Sequence, residues 1–479
     1  MLFNSLPFAV FFGIFFLLYW FVFNRKLKLQ NLFLLIGSYV FYSWWDWRFL
    51  FLIIANSLLN YLLGFYMNKT KNQKTKDVLM YIGTIAGIGS LIYYKYANFF
   101  IVSFVEAFSK FHINLNIHTV NLVLPLGISF YTFRTLSYLF DINNGKMKPT
   151  SDWVAFFSFV AFFPCLLSGP IDRAKSLIPQ LEKKREFRYD DAVDALRQIL
   201  WGFFKKMVIA DNLAPITNDI FQHYHSLPAS TLVLGVFYSA IQLYTDFSGY
   251  SDMAIGIGRL LGFKVAKNFD YPFFAQSIPE FWRKWHISLT QWISDYVYTP
   301  LSLKFRDYGK LGVTMAILIN FTLIGMWHGA SWRFVLFGML NGIYLIPLIL
   351  RGTINKNKKL DPNKLWPSFA EFRNMLQTFV LINISIILFK AESVSQAIQF
   401  FGRIFSKSII QYPKNAQPFF ILVITLFLII EWGQRNKQHV LESLNLKMSK
   451  PLRWALYSFI IMLIMVFTGH EEPFIYFKF

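Results

Sequence analysis

Long apolar runs recur along the whole chain and are separated by short polar loops. The first run covers residues 6–23 without a charged residue, which is long enough to cross a ~30 Å hydrocarbon layer as a helix. Similar runs cover 31–66, 78–106, 120–140, 153–168, 231–245, 311–350, 374–389, 418–430 and 454–469. Some of these runs could hold two crossings, so the pattern predicts a polytopic membrane protein with about 10 to 12 transmembrane helices.

The runs predict helices and not the strands of a membrane β-barrel. Barrel strands alternate apolar and polar positions over about ten residues, whereas these runs are continuously apolar. Backbone inside a bilayer must satisfy its own hydrogen bonds, and a helix does so within one segment. The predicted fold class is therefore all-α.

The composition agrees with this prediction. Of 479 residues, 55% are hydrophobic and only 15% are charged, against roughly a quarter in soluble domains. Basic residues follow the first apolar run, at 25–28, and none precedes it, so we expect a retained first span and not a cleaved signal peptide. The single cysteine, Cys165, excludes an internal disulfide and a cysteine-rich metal site.

The net charge of +21 is concentrated in a few loops. These basic loops cover 25–28, 69–76, 173–188, 304–310, 351–364 and 435–453. Cytoplasmic loops carry the positive excess of membrane proteins, so we assign each of them to the cytoplasmic side, facing anionic lipid headgroups. No basic-aromatic RNA-binding pattern accompanies the charge, and we expect no nucleic-acid partner.

The segment 263–310 differs from the apolar runs because prolines and charges interrupt it. It is too polar to cross a membrane alone, and we predict re-entrant or interfacial helices at the cytoplasmic face. Its aromatic residues are of the kind that lie at the lipid headgroups: Trp282, Trp285, Trp292, Tyr296 and Tyr298.

His328 is a polar residue inside the apolar run 311–350. Lys310 and Arg351 flank that run as cytoplasmic markers, so the chain must cross and return, with a turn near GMWHGAS (325–331). Gly325 and Gly329 leave room for a close helix contact or a ligand beside the imidazole. The alternative is a neutral histidine that only hydrogen-bonds a neighbouring helix, but ionisable groups inside a span mark functional sites.

His286, in WRKWHISL (282–289), is the second candidate. Imidazole changes its protonation state near neutral pH, so either histidine could act as a general base. His286 should lie on the cytoplasmic side and His328 away from it. This predicts a path through the membrane with one reactive histidine towards each end. The alternative for His286 is a residue that only anchors an interfacial helix.

Further polar residues fall in the apolar segment 242–263. Asp246 and Asp252 could orient a histidine, pair with Arg259 or line an acceptor path, and we favour structural pairing. Arg173, in SGPIDRAK (168–175), is either a site residue or an interface charge. No histidine spacing indicates a metal site, and no P-loop or nucleophile elbow supports an ATP-driven pump or a serine hydrolase.

Two motifs resemble a known family. PEFWRKWHISLTQWISDYVYTPL (279–301), followed by GMWHGASWRFVLFGMLNG (325–342), is similar to the signature pair of membrane-bound O-acyltransferases, and most closely to their bacterial alginate O-acetyltransferase branch. Supporting pieces are 124–141, 167–173, 246–263 and PFIYFKF at 473–479. The chain departs from the family where SLKFRD replaces a Pro-Leu-Gly-Gly turn, and Asn341 stands where some related sequences carry a histidine.

The resemblance implies a ring of helices around a central funnel within one membrane domain, 1–479. Peripheral helices would occupy 1–120, a catalytic core 121–350 and C-terminal helices 351–479. The implied catalytic residues are His328 and His286. The expected supporting or orienting residues are Asp246, Tyr250, Asp252, Asp295 and Trp327, and the expected donor-binding residues are Arg283, Lys284 and Arg173.

The implied activity is acyl transfer from a cytoplasmic thioester, with acetyl-CoA as donor substrate and no permanently bound cofactor or metal. The acetyl group would pass through a bacterial cytoplasmic membrane to a polysaccharide such as an alginate-like exopolysaccharide or peptidoglycan. The family typically works with a separate extracytoplasmic acetyltransferase of the SGNH type. Two alternatives stay open at this point: D-alanyl transfer to teichoic acid from a carrier protein, and a secondary transporter with His328 as a proton relay.

Overall fold

The structure, a computed structural model, describes residues 1–113, 115–354, 360–361, 364–442, 444, 448–468, 472 and 474. These residues form helices joined by loops, and no strand occurs among them. The all-α prediction is therefore confirmed. Of the C-terminal motif at 473–479, every residue except Phe474 lies outside the described residues.

The backbone divides into two compact units, which are described separately. Unit 1 comprises 1–192 and 257–266, and unit 2 comprises 193–256 and 267–479. Neither boundary coincides with the predicted division at 120 and 350, which stays a prediction.

Unit 1 contains nine helices in its described residues before the chain reaches α10. They are α1 (Leu6–Leu17), α2 (Leu27–Ser43), α3 (Arg48–Lys69), α4 (Gln73–Leu91), α5 (Ala97–Ser109), α6 (Ile128–Asn143), α7 (Trp153–Ala161), α8 (Phe163–Leu166) and α9 (Ala174–Leu181). Short π-helical segments, Leu18–Val22 and Ile92–Tyr96, and the 3-10 turn Phe23–Arg25 continue α1 and α4.

Helix α6 is almost entirely buried because α3 and α4 both pack against it. Its Arg134 is fully buried and donates to the carbonyl oxygens of Phe159 and Val160 at the end of α7. A buried guanidinium requires such partners, since an unsatisfied charge inside the protein is strongly destabilising. The polar groups of α6 therefore connect helices within unit 1.

Helices α10 (Tyr189–Phe203) and α12 (Ala229–Leu260) belong partly to each unit. The other helices in the described residues of unit 2 are α11 (Asp211–Gln222), α13 (Ile278–Lys284), α14 (Ile287–Ile293), α15 (Thr299–Lys304), α16 (Gly309–His328), α17 (Trp332–Ile343), α18 (Ile346–Leu350), α19 (Phe369–Lys390), α20 (Val394–Ile404), α21 (Pro418–Gly433) and α22 (Lys450–Val466). The same described residues include two π-helical segments, Phe204–Ala210 and Ser294–Tyr298, and the 3-10 turns Pro272–Phe274, Arg306–Tyr308 and Lys407–Ile410.

Helices α16 and α17 form a tight hairpin, as the flanking basic residues predict. The turn falls between His328 and Trp332, within the predicted GMWHGAS segment. Gly325 makes the close contact possible, because a Cβ atom there would lie 2.1 Å from the carbonyl oxygen of Phe334 and 3.0 Å from the Cα of Gly338. The predicted role of Gly325 in helix contact is confirmed.

Six helical stretches among the described residues are long and apolar enough to cross a membrane, and the chain is a multi-pass membrane protein. They are Leu6–Arg25, Arg48–Lys69, Gln73–Ser109, Arg306–His328, Trp332–Leu350 and Phe369–Lys390. This is fewer than the 10 to 12 predicted, because some apolar runs do not form long straight helices. The run 153–168, for example, bends at Phe162 and is divided between α7 and α8.

Candidate active site

The two histidines of the motif pair lie together inside unit 2. His286 is 1% exposed and His328 is 3% exposed, and their ring centroids are 6.5 Å apart. The indole of Trp327 contacts both imidazoles, at 5.3 Å from His286 and 5.2 Å from His328. The prediction that the histidines serve opposite ends of a membrane path is therefore wrong, since both belong to one cluster.

The backbone conformation of His286 fixes its position between α13 and α14. Its φ of 43° is left-handed, which is rare for a residue with a side chain and indicates local strain. Two backbone hydrogen bonds hold this turn: Ile287 N donates to Asn268 O at 2.8 Å, and Asp270 N donates to Lys284 O at 3.0 Å. The segment before α13 therefore pairs with the turn that carries the imidazole.

Asn268 also connects this turn to α12 through its side chain. It is fully buried, its Nδ2 donates to Ser251 Oγ at 3.1 Å, and its Oδ1 accepts from Ser288 Oγ at 2.7 Å. The role of Asn268 was not predictable from the sequence, because nothing in its local sequence marks one buried amide as a connector. It is the residue that ties the His286 turn to the neighbouring helix.

His328 is the last residue of α16, and aromatic rings surround it. Phe389 of α19 lies 5.3 Å away and Phe337 of α17 lies 5.9 Å away, both edge-on. His328 also lines a small cavity of about 20 Å³, roughly enough for one water molecule. The other lining residues are mainly apolar: Leu243, Phe281, Trp282, Trp285, Phe337, Asn341, Ile382, Ser385, Ile386 and Phe389.

The predicted carboxylates of α12 are held by lysines. Lys206 Nζ lies 2.9 Å from Asp246 Oδ1 and 2.7 Å from Asp211 Oδ1. Lys205 Nζ lies 2.6 Å from Asp252 Oδ2. The structure shows the structural pairing that the sequence favoured, with lysines as the partners. Two adjacent lysines in the apolar stretch ILWGFFKKMVIA (199–210) were the signal for this cluster, and sequence analysis missed it.

The remaining supporting candidates differ in their surroundings. Trp327 lies between the two imidazoles, as its place beside His328 suggests. Tyr250 is buried and its ring stacks on Phe474 with centroids 4.8 Å apart. Asp295 is exposed in the π-helical segment that follows α14, in contrast to the buried imidazoles. Trp327 contacts both histidines directly.

The three basic residues predicted to bind the donor also differ in their surroundings. Arg283 is exposed on α13, where it could meet an anion. Lys284 forms an ion pair with Glu280, with Nζ and Oε1 2.9 Å apart, so an incoming anion would have to compete with that carboxylate. Arg173 belongs to unit 1, where it directly precedes α9 as its N-cap residue.

The sequence predicted that the tryptophans of the segment 263–310 lie at an exposed surface, next to the lipid headgroups. The structure shows that they are buried. Trp282, Trp285 and Trp292 are each less than 7% exposed. Trp285 stacks on Phe281 and packs edge-on against Phe269. Trp282 and Trp285 line the cavity beside His328, whereas Trp292 is buried outside that lining. The prediction that these three rings lie at the lipid headgroups is wrong.

A second, polar cavity of about 30 Å³ is lined in part by Phe269 and Asn268. Its lining includes Lys205, Asp252 and the buried Glu431, whose carboxylate accepts from Tyr244 Oη at 2.9 Å. Such a cavity can accommodate polar groups that the apolar wall around His328 cannot. In the part of the chain that the structure describes, no cluster of three or more His, Cys, Asp or Glu side chains could hold a metal ion.

The chain is similar to known proteins over the region that holds this site. Residues 148–389 match the model of the MBOAT, membrane-bound O-acyltransferase, family, and both histidines fall inside the match. The chain is 36% identical to a probable alginate O-acetylase AlgI of Azotobacter vinelandii, over 79% of this chain and 73% of that protein. It is 29% identical to a peptidoglycan O-acetyltransferase of Helicobacter pylori, over 94% of this chain and 91% of that protein. A teichoic acid D-alanyltransferase of Streptococcus thermophilus is 30% identical, over 57% and 69%.

Proposed function

Because the chain belongs to the membrane-bound O-acyltransferase family and is an acyltransferase, we propose that it takes acetyl groups from a cytoplasmic thioester and passes them across the membrane for O-acetylation of an extracytoplasmic polysaccharide. The observation that carries this proposal is the buried pair of imidazoles, 6.5 Å apart, inside the matched region. The family membership also removes the reason to treat His328 as a transporter's proton relay. Relatives named as alginate and peptidoglycan O-acetyltransferases support acetyl as the acyl group.

His328 is the general base of the proposed reaction. A thioester is already activated, so the enzyme mainly has to deprotonate a hydroxyl group and exclude water. His328 removes the proton as the hydroxyl oxygen attacks the thioester carbonyl carbon, a contribution of roughly 10²–10⁴-fold. The C–S bond then breaks, and the proton passes from the imidazolium to the thiolate. The apolar wall of the His328 cavity favours this step, because hydrogen bonds and charges interact more strongly where water is excluded.

His286 and Trp327 support that base in the proposed site. Trp327 contacts both imidazoles and thereby fixes their separation. His286 is held rigidly by the bonds of its turn to the segment 268–270, so it presents a second polar ring at a fixed place. Asp246, Asp252 and Tyr250 act at longer range, by keeping α12 in position through the lysine cluster and the stacking on Phe474.

The donor is proposed to be acetyl-CoA, used as a substrate from the cytoplasmic side. The exposed Arg283 suits a phosphate group of the donor, because arginine forms strong charge-assisted hydrogen bonds with phosphate. Lys284 could contribute once the phosphate displaces Glu280. Arg173, in a basic loop assigned to the same side of the membrane, is a further donor-binding candidate.

The proposed location is the cytoplasmic membrane of a bacterium, with a separate SGNH-type acetyltransferase as extracytoplasmic partner. The partner would attach the exported acetyl group to the polysaccharide. The assignment of the basic loops to the cytoplasm and the names of the bacterial relatives support this arrangement.

The test compares His328→Gln and His286→Ala with the wild-type chain in cells. Membrane insertion of each variant is verified first, and ester-linked acetate on cell-surface glycan is then measured. We expect acetate to fall at least 100-fold for His328→Gln, in line with the loss of a general base. Unchanged acetate in that variant would remove the catalytic assignment. Loss of ester-linked alanine in place of acetate would establish the D-alanyl alternative, which the teichoic acid relative represents.

A second experiment tests the donor. Inside-out and right-side-out vesicles that contain the full chain receive labelled acetyl-CoA from outside. Label should accumulate on the protein or its acceptor only where the cytoplasmic face is accessible. Equal labelling of both vesicle types, or none, would contradict direct use of cytoplasmic acetyl-CoA.

A further inference from the structure

The indole N–H of Trp282 is a buried hydrogen-bond donor, and its residue lines the same cavity as the proposed base His328. Trp282 lies on α13, is 4% exposed and lines the same cavity as His328. Its Nε1 has no hydrogen-bond partner among the residues that the structure describes. A buried tryptophan N–H usually finds a partner, and leaving it without one is destabilising because its desolvation is not compensated. Such a cost beside a reacting centre suggests that the substrate supplies the acceptor.

Packing holds the Trp282 ring in place. It meets Phe321 of α16 edge-on, with centroids 5.3 Å apart, and lies 6.3 Å from Phe337 of α17. The same two helices form the α16–α17 hairpin, and His328 is the last residue of α16, at the turn of that hairpin. The indole and the imidazole are thus positioned by one rigid framework, which is the condition for a preorganised hydrogen bond.

Two other polar side chains of the cavity, Ser385 and Asn341, donate to backbone carbonyl oxygens. Ser385 Oγ donates its single proton to carbonyl oxygens of its own helix, at 2.8 Å from Ile382 O. Asn341 Nδ2 donates one of its two protons to Phe337 O at 2.8 Å, and its Oδ1 is an acceptor. An oxygen that becomes negatively charged needs a donor, and an indole is only a donor.

We propose that Trp282 is a further catalytic residue, whose Nε1–H donates to the carbonyl oxygen of the acyl group. The inference rests on the proposed function. When the hydroxyl oxygen bonds to the carbonyl carbon, the C=O π electrons move to the carbonyl oxygen and the hydroxyl proton moves to His328. The Trp282 N–H stabilises that oxyanion. The C=O bond then re-forms, the C–S bond breaks, and the thiolate takes the proton from His328, which leaves an ester and a free thiol.

The test is Trp282→Phe, which removes the N–H and keeps an aromatic ring in the same wall. Membrane vesicles containing the full chain and its acceptor are supplied with acetyl-CoA, and the release of free thiol is followed over a range of donor concentrations. We expect kcat to fall about 10²–10³-fold, as on removal of other oxyanion donors, while KM changes little. Trp292→Phe, at a buried tryptophan of the same segment outside the cavity lining, should keep kcat within about threefold.

Trp285→Phe distinguishes the two indoles of the cavity wall. A loss of kcat for Trp285→Phe with wild-type kcat for Trp282→Phe would overturn the assignment, as would a rise in KM alone. His328→Gln is measured in parallel. If His328→Gln is inactive and Trp282→Phe is fully active, the oxyanion role fails while the proposed function stands. If His328→Gln keeps full activity, the proposed function itself fails.

Discussion

Lys206 and Asp246 form a buried ion pair, with Nζ and Oδ1 2.9 Å apart, and the same ammonium group also holds Asp211. Lys206→Met removes the cation and leaves two buried carboxylates together. We expect the free energy of unfolding to fall by about 3–5 kcal/mol, because removing one partner of a buried pair leaves an uncompensated charge. The thermal midpoint of the purified chain in detergent measures this change.

The control for Lys206→Met is Lys304→Met, at an exposed position on α15, which should leave the midpoint within about 1 °C. Adding Asp246→Asn to Lys206→Met should recover part of the loss, since one of the two carboxylates is then neutral. Equal midpoints for Lys206→Met and the wild-type chain would contradict the structural role of this cluster.

A methyl group at Gly325 should break the α16–α17 hairpin. The added Cβ would lie 2.1 Å from the backbone oxygen of Phe334, and backbone cannot yield as a flexible side chain does. We expect Gly325→Ala to destabilise the fold by at least about 1–3 kcal/mol, the usual cost of overpacking, and to reduce acetyl transfer because His328 ends the same helix. The amount of monodisperse protein after extraction and its thermal midpoint are the measurements.

Gly89→Ala is the matched control for this substitution. Gly89 lies inside α4, and nothing lies within 4 Å of the place that an added Cβ atom would take, so alanine should be neutral or slightly stabilising there. A Gly325→Ala chain as stable as Gly89→Ala would show that the hairpin can separate without cost.

Asn268→Ala should lower activity more than stability. The substitution removes the side-chain bonds to Ser251 and Ser288 and loosens the turn that carries His286. A displacement of about 1 Å at a catalytic group can slow a reaction roughly 10²-fold, so we expect turnover to slow by roughly 10- to 100-fold. Asn415→Ala, at an exposed asparagine, should keep wild-type turnover.

Asn268→Asp adds a sharper comparison. It keeps the oxygen that accepts from Ser288 and loses the donor to Ser251, so its turnover should fall between those of the wild-type chain and Asn268→Ala. If Asn268→Ala turns over at the wild-type rate, the link between the turn and α12 does not position His286.

Asp172 gives unit 1 a pH-dependent stability. Burial raises the pKa of its carboxyl from 3.8 to about 6, although the nearby Arg134 opposes the shift. Between about pH 4 and 6 the unfolded chain releases this proton while the folded chain retains it. The unfolding free energy from this group therefore falls as pH rises through that window, by on the order of 3 kcal/mol, and is constant above it.

Thermal midpoints measured from about pH 4 to pH 8 test this dependence. The wild-type chain should lose stability relative to Asp172→Asn as pH rises to about 6, and the difference should then stay constant. Asparagine keeps an oxygen that can accept from Ala266 N, the bond that Asp172 makes at 3.0 Å. Parallel curves for the two chains over the whole range would contradict the raised pKa.

The helical fold was predictable because a long, continuously apolar run indicates a helix buried in lipid or protein, and this signal lies within the run itself. The α16–α17 turn followed from two basic residues at the ends of the run 311–350. The number of long spans was not predictable in the same way. Whether a run such as 153–168 stays straight depends on a bend at Phe162, and hydropathy carries no information about that bend.

Only the residues of the candidate site that lie within the two signature motifs were predictable from the sequence. The two histidines came from their motifs, but their contact did not, because it depends on the left-handed turn at His286 and on its backbone bonds to residues 268–270. Those bonds join segments that are distant along the sequence. The roles of Asn268, Lys205 and Lys206 were not predictable for the same reason. Each role depends on hydrogen-bond or ion-pair partners that are distant along the sequence, and a local pattern does not contain them.

The glycine contact between α16 and α17 also bears on how the chain is made. Because the two helices touch at Gly325 and Gly338 across a three-residue turn, they can leave the translocon together as one preassembled hairpin. His328, at the tip of that hairpin, would then enter the bilayer already shielded by Phe337 of the returning helix. Biosynthesis would therefore deliver the imidazole of His328 as part of a single insertion event and not as an isolated polar group in lipid.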